Sequence, residues 1–182
     1  MNQVLVKTYT EKGYKPTPSV RLSDEEYGRG LQCFVPACVD IVPIDSKKKI
    51  IFLAPRKTKP YVGWWFIGGK MIPSETKEET AARCFERETK LKLPTNRFAL
   101  AAVLDYRWNQ REQPPQDLGC HMLGYTFTVE LAPKELAQVR LEENEYEKKS
   151  GFTAFNREQL VEAGVFPSII DLYDHIFPPS RS

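Results

Sequence analysis

The chain alternates between stretches rich in β-branched and aromatic residues and stretches in which charged residues flank a narrow apolar stripe. The first kind predicts strands over 33–44, 49–54, 98–108 and 121–131. In the last of these, Tyr125, Phe127 and Val129 alternate with polar residues, which is typical of a strand with one buried face. The polar segment between the first two strands predicts a hairpin connection.

Capping residues and helical spacing predict the helices. Ser23, followed by three acidic residues, predicts a first helix, and Ser74 predicts the cap of a long charged helix over 75–90. A shorter helix is expected at 156–163, where an asparagine supplies the cap, and apolar residues at helical spacing predict a last helix closed by the prolines 178–179. Strands therefore precede and follow one charged helix in the middle of the chain.

This order of elements predicts an α/β (α+β) fold. The 182 residues suffice for one hydrophobic core and are too few for two ordinary enzyme domains with a linker. We expect an N-terminal arm over 1–20, a single domain over 21–178 and a short tail over 179–182.

Charge and composition exclude several classes of function. The 26 Lys and Arg residues nearly balance 24 Asp and Glu, which argues against nucleic-acid binding through bulk positive charge. The most apolar stretch, 33–44, is interrupted by Pro36, Asp40 and Pro43 and is too short to cross a membrane. The first ten residues lack the continuous apolar core that is typical of a signal peptide. We therefore expect a soluble cytoplasmic protein whose four cysteines are buried free thiols.

The most informative chemistry begins at the glycine pair 68–69 and continues into the central helix. Glu75 follows Gly69 after five intervening residues, Arg83 follows after seven more, and Glu88 lies further along the helix. Carboxylates on one helix face aim at a common point, which suits a divalent cation. The alternative is that Glu88 is an ordinary solvated residue of a highly charged helix.

This spacing resembles the Nudix box, G-x5-E-x7-R-E-U-x-E-E-x-G-U, in which U is a bulky aliphatic residue. Three positions depart from the box: Cys84 and Arg87 replace glutamates, and Lys90 replaces glycine. The resemblance implies an α/β/α sandwich with a mixed β-sheet and the box helix in the middle of the chain. It also implies a bound Mg²⁺, with Mn²⁺ as the alternative, since Mg²⁺ needs only one or two protein carboxylates.

The segment 53–70, LAPRKTKPYVGWWFIGGK, is similar to GDP-mannose mannosyl hydrolases, a Nudix branch with a box degenerate in the same way. That resemblance implies a homodimer that hydrolyses a nucleoside diphosphate sugar at the sugar's anomeric carbon. By position, the Gly68 carbonyl and Glu88 would be metal ligands, and Arg56 would stabilise the leaving diphosphate. Lys70 stands where the branch has arginine, so it keeps the charge and lacks the planar donor fork.

The branch also has a histidine base in a late loop, but the corresponding loop here, 142–147, is acidic and holds no histidine. Glu145 is the candidate general base, and Glu143 or Asn144 would assist the metal. The alternative is a solvated acidic loop without a catalytic role. We expect His121, at the head of a strand, to be structural or adjacent to the substrate.

Tyr61 and Trp108 are candidates to stack on a base or sugar, with core packing as the alternative. Two other functions also stay open. One is ordinary pyrophosphate cleavage of a nucleoside diphosphate derivative, and the other is nucleotide binding without catalysis on the same scaffold.

Overall fold

The computed structural model describes residues 5–147 and 151–178, and in this part of the chain seven strands form one mixed sheet. The strands are β1 (Ala37–Asp45), β2 (Ile50–Arg56), β3 (Gly63–Trp65), β4 (Ile67–Lys70), β5 (Ala99–Trp108), β6 (Cys120–Glu130) and β7 (Thr153–Phe155). The helices are α1 (Asp24–Cys33), α2 (Lys77–Thr89), α3 (Pro133–Leu136), α4 (Arg157–Glu162) and α5 (Pro167–Ile176). The mixed α+β fold predicted from the sequence is confirmed.

Strand β1 is the centre of the sheet because both of its edges are paired. One edge runs parallel to β6 from the Ala37–Leu123 pair to the Ile44–Glu130 pair. The other edge is shared between β4, which pairs antiparallel over Cys38–Ile41, and the start of β2. Side chains on β1 therefore lie beside the glycine-rich strand β4 and beside β6.

Helix α2 packs its apolar face on this sheet, with Ala81, Cys84 and Phe85 fully buried. The Phe85 ring meets Phe98 edge-on, with 5.6 Å between ring centroids. Burying a phenylalanine side chain contributes about 2–3 kcal/mol. This apolar contact fixes the helix against the strands that carry the candidate site.

The cap predicted for this helix at Ser74 is wrong, because Thr76 takes that place. The Thr76 hydroxyl accepts from the backbone N–H of Glu79 (3.2 Å), and the Glu79 carboxylate accepts from the N–H of Thr76 (2.7 Å). Ser74 instead has a positive φ of 73°, and its hydroxyl accepts from the N–H of Thr17 (2.9 Å). The helix begins two residues later than predicted, since both halves of the capping box are available there.

The other boundaries shift for local reasons. The predicted strand at 33–44 begins at Ala37, because Cys33 is the last residue of α1. The Asn156 cap of α4 is confirmed, since its side chain accepts from the N–H of Gln159 (2.9 Å). The predicted tail 179–182, with the second closing proline, lies outside the described residues.

The structure bears on the predictions for the cysteines and for membrane spans. Cys84 and Cys120 are buried free thiols, whereas Cys38 is half-buried and Cys33 is exposed, so the prediction of four buried thiols is wrong for Cys33. Within residues 5–147 and 151–178, no helix is both long enough and apolar enough to cross a membrane.

Candidate active site

A cleft of about 280 Å³ opens over β1, β4 and β6, bounded by the end of β2 and the loop that follows β5. The described residues lining it carry more positive than negative side chains, which favours an anionic ligand. The charged lining residues are Arg56, Lys59, Lys70, Arg87, Arg111, Asp40, Glu112 and Glu145.

Most of the residues selected from the sequence lie together on this cleft. Those that line it are Arg56, Tyr61, Gly68, Lys70, Trp108 and Glu145. Glu88 lies behind Gly68 and has no exposed surface. Glu143 is exposed on the loop 142–147 and is not among the described residues that line the cleft.

The Glu88 carboxylate is held by three parts of the chain. Its Oε1 accepts from Arg87 Nη2 (2.5 Å), while its Oε2 accepts from the Tyr146 hydroxyl and from the Gly68 N–H (3.3 Å). Burial and the nearby Glu145 charge raise the pKa of Glu88, and the Tyr146 hydroxyl and the Arg87 charge oppose that rise. The alternative that Glu88 is a solvated helix residue is therefore wrong.

Backbone hydrogen bonds bring the acidic loop to this carboxylate. The N–H of Glu142 donates to the carbonyl of Glu88 (3.0 Å), and the N–H of Lys57 donates to the carbonyl of Glu145 (3.0 Å). The loop is thus tied to the end of α2 and to the end of β2. This places Tyr146 on Glu88 and aims Glu145 into the cleft.

The arginine that departs from the Nudix box occupies the centre of this arrangement. Arg87 Nη2 donates to the Gly68 carbonyl (2.9 Å) as well as to Glu88, and it lies 3.8 Å from Glu145 Oε1. Both atoms expected to bind a metal are therefore bonded to a guanidinium cation, which would repel a second cation. Among the described residues, no group of three or more His, Cys, Asp or Glu is arranged to hold a metal ion. The residues present do not fit a Mg²⁺ held by Gly68 and Glu88.

Glu75 and Arg83, which follow Gly69 in the box, bond to each other. Arg83 Nε donates to Glu75 (2.7 Å), and Arg83 Nη2 donates to the carbonyl of Lys70 (3.2 Å). These bonds join the loop that precedes α2 to the helix itself. They fix the direction in which the backbone leaves β4 and therefore the position of the glycine pair.

Arg56 is fixed by the loop that follows β2. Its Nε donates to the carbonyl of Thr58 (3.2 Å), and its Nη2 donates to the carbonyl of Lys59 (3.2 Å). Because the backbone orients the guanidinium on the cleft wall, a phosphate would meet a preorganised donor.

Asp40 also lines the cleft, although its sequence context does not mark it as a functional residue. It is half-buried on β1, where burial raises its pKa to about 7, with the Arg56 charge opposing that rise. A carboxyl group that titrates near neutral pH suits proton transfer. Its one sequence signal is an acid in the middle of an apolar strand.

Arg111 is a second residue that the sequence analysis missed. The side chain is 2% exposed, and Nε donates to the carbonyls of Gln113 (3.1 Å) and Pro115 (3.0 Å). Its buried Nη2 has no hydrogen-bond partner within the described chain. Since buried donors are nearly always paired, this atom indicates a ligand acceptor in the cleft. Nothing in the sequence distinguishes this arginine from the others.

Aromatic side chains form one wall of the cleft. Trp108 stacks on Tyr106 with 5.2 Å between centroids, and Tyr61 lies 5.9 Å from Trp108. Tyr61 and Trp108 are half-buried, so each packs on the core while also lining the cleft. Core packing of both residues is confirmed, and their stacking on a base or sugar stays a prediction.

The N-terminal helix closes another side of the cleft. Tyr27 of α1 lines it, with Lys70 Nζ 3.8 Å from the centre of the Tyr27 ring. A Cβ at Gly28 would lie 1.8 Å from the Pro114 carbonyl oxygen, so only glycine allows this approach of α1 to the loop after β5.

The two histidines lie away from the proposed chemistry. His121 Nε2 is 2.8 Å from Asp105 Oδ1, and the exposed His175 lies 3.1 Å from the carbonyl of Ala101. Neither is among the described residues that line the cleft.

Comparison with known proteins gives the family. The profile described as NUDIX domain matches residues 35–176. No curated protein sequence matches the chain at a significant level.

Solved structures similar to this chain share its fold. A MutT NUDIX hydrolase from Burkholderia pseudomallei is 19% identical with a TM-score of 0.59, and the match covers 78% of this chain and 98% of that one. A MutT protein from Methanosarcina mazei Go1 is 16% identical with a TM-score of 0.57, covering 78% and 92%. The E. coli dihydroneopterin triphosphate pyrophosphohydrolase is 14% identical with a TM-score of 0.56, covering 76% and 92%.

The raised pKa of Asp40 predicts a pH-dependent cost to stability. Between about pH 4 and about pH 7 the folded state binds a proton that the unfolded state has released, so stability falls as pH rises through this window. Asp40→Asn removes that cost. We expect the free energy of unfolding of the variant to exceed that of the native chain by about 2–4 kcal/mol at about pH 8, and the two values to approach each other near pH 4. Urea unfolding at several pH values measures the difference.

The matched control is Asp171→Asn, which removes the same charge from an exposed position on α5. A gap between the Asp40→Asn variant and the native chain that stays constant across the pH range would contradict the assignment of Asp40.

Proposed function

The chain belongs to the Nudix hydrolase family, and on that premise we propose that it hydrolyses a nucleoside diphosphate sugar at the anomeric carbon. The observation that carries the proposal is the cleft, which Arg56, Arg87 and Arg111 line together with carboxylates and an aromatic wall. The free sugar and the nucleoside diphosphate are the products.

The arginines suit a departing diphosphate. Arg56, Arg87 and Arg111 line the same cleft, and a planar guanidinium pairs with two phosphate oxygens at once. The buried Nη2 of Arg111, which the described residues leave unpaired, supplies a further donor. Developing negative charge on the leaving group would therefore be stabilised by donors already in place.

In the proposed reaction, the carboxylates of Glu145 and Asp40 transfer protons. In the proposed step, water attacks the anomeric carbon while the bond from that carbon to the diphosphate oxygen breaks, and the electron pair stays on the diphosphate. Glu145 takes the proton from the attacking water. Asp40, with a pKa of about 7, exchanges a proton with an oxygen of the bound substrate.

The aromatic wall suits the uncharged parts of the substrate. Tyr61 and Trp108 are held by their neighbours in the core and leave part of each ring on the cleft. Rings fixed in this way stack on a base or on the apolar face of a sugar.

We also propose that the chain is a homodimer, as its resemblance to the mannosyl hydrolases implies. The N-terminal arm supports this, because residues 5–22 form no helix or strand. The residues Leu5, Tyr9 and Val20 in this segment are 75–80% exposed. Exposed apolar side chains of this kind suit contact with a second subunit.

We expect a dimeric mass in light scattering, because burying these side chains between subunits removes apolar surface from water. A monomeric mass across a range of protein concentrations would contradict the dimer.

Hydrolysis in ¹⁸O-labelled water tests the bond that breaks. With GDP-mannose as the first of a panel of nucleoside diphosphate sugars, we expect the label in the free sugar, because water attacks carbon. Mass spectrometry of the products measures it. Label in a phosphate would show pyrophosphate cleavage instead, and an absence of turnover across the panel would refute the proposal.

Glu145→Gln tests the base, since the amide keeps the shape of the side chain and cannot take the proton. We expect kcat to fall by about 10²–10⁴-fold with a smaller change in KM. Steady-state kinetics measure both constants. Glu158→Gln removes one exposed carboxylate from α4 and is the control expected to keep kcat. Equal kcat for native chain and the Glu145→Gln variant would exclude Glu145 as the base.

A further inference from the structure

Arg87 bonds to the same two groups that the family resemblance assigns to a metal ion. Its Nη2 lies 2.9 Å from the Gly68 carbonyl oxygen and 2.5 Å from Glu88 Oε1. One nitrogen therefore joins a backbone carbonyl of β4 to a fully buried carboxylate of α2.

The glycine pair makes room for this cation. A Cβ at Gly69 would lie 3.1 Å from Arg87 Nη2 and 3.3 Å from Cys84 Sγ, which is closer than nearly all real contacts of that kind. With glycine at 69, Arg87 Nη2 reaches the Gly68 carbonyl without crowding a side chain on β4.

The other side of the guanidinium faces the cleft. The Arg87 side chain is 45% exposed and lines the cleft with Arg56 and Glu145. Arginine has five N–H donors, and Nη2 uses both of its own on Gly68 and Glu88. Across the described residues, Nη1 and Nε of Arg87 have no hydrogen-bond partner, so three donors remain for a ligand.

The buried charge of Glu88 requires a cation at this point. A carboxylate without solvent contact is strongly destabilising unless it is paired, and Arg87 supplies that pairing from the preceding residue of the helix. For a divalent ion to bind the same two oxygens, this guanidinium would have to leave both of them.

We propose that the Arg87 guanidinium is the resident cation of the cleft, replacing a divalent metal and binding the diphosphate of the substrate directly. The inference rests on the proposed function, because it takes a nucleoside diphosphate as the ligand. It assigns to one side chain both the neutralisation of Glu88 and the recognition of the diphosphate.

Calorimetric titration of the native chain with GDP provides the first test. We expect the dissociation constant in excess EDTA to equal that in excess Mg²⁺ within about 3-fold, a difference of less than 1 kcal/mol. Titration with Mn²⁺ alone should give no heat of binding. GDP binding that requires Mg²⁺ would overturn the inference while leaving the proposed function in place. An absence of GDP binding in either buffer would count against both, and product analysis with the nucleoside diphosphate sugar panel would then decide the proposed function separately.

Substitutions at position 87 provide the second test. Arg87→Met should weaken GDP binding by about 10- to 100-fold in EDTA, because it removes charge-assisted hydrogen bonds to the diphosphate. Arg87→Lys should bind GDP with an affinity between those of the native chain and the Arg87→Met variant, since one ammonium cannot bond Glu88 and a ligand with the same geometry. Arg157→Met is the matched control, because it removes an arginine of α4 that is paired with Asp174 of α5 and does not line the cleft.

Arg87→Glu restores the glutamate that the Nudix box has at this position. This variant would place a second carboxylate beside Glu88 and the Gly68 carbonyl, so we expect Mn²⁺ to raise its melting temperature while leaving that of the native chain unchanged. If Arg87→Glu does not fold, the EDTA titrations of the native chain and of Arg87→Lys still decide the question. Unchanged GDP affinity in a folded Arg87→Met variant would refute the inference.

Discussion

The architecture of the cleft depends on one buried carboxylate. Glu88 has no exposed surface, so its two carboxylate oxygens must find donors inside the protein in place of water. Arg87 supplies one donor from α2, Gly68 another from β4, and Tyr146 a third from the loop 142–147. Three segments distant in sequence therefore meet at one point, and the cleft lies where they meet.

Close packing of β4 against β1 explains why position 68, beside Glu88, is a glycine. A Cβ at Gly68 would lie 1.9 Å from the Val39 carbonyl oxygen, so any other residue would push β4 away from β1. That displacement would also move the Gly68 N–H and carbonyl, which bond Glu88 and Arg87. Sheet packing and site chemistry thus constrain the same residue.

Much of the fold could be predicted from the sequence because its signals are local. Alternation predicted β6, and the Asn156 side chain caps α4 as expected. The cap of α2 was misplaced because Ser74 and Thr76 are both good capping residues, and only Thr76 has a glutamate three positions later in capping geometry.

The site was predictable in part. Most of the residues that the resemblance selected lie on one cleft, since spacing and strand order determine where they lie, whereas Glu143 is not among the described residues that line it. Asp40 and Arg111 were missed because their chemistry comes from burial, which the sequence does not show. The role of Arg87 could not be inferred either, because it depends on a carbonyl 19 residues away along the chain. Fold similarity at 14–19% identity describes the path of the backbone and leaves these side chains undetermined.

Helix α1 gives the cleft a wall that the shared domain does not contain. It ends at Cys33, before the first residue of the NUDIX match at 35, yet Tyr27 faces the cleft and Gly28 seats the loop after β5. Part of the cleft lining therefore comes from a segment that aligning the common domain would omit. Two relatives with identical boxes would have clefts with different walls if only one of them carried this helix.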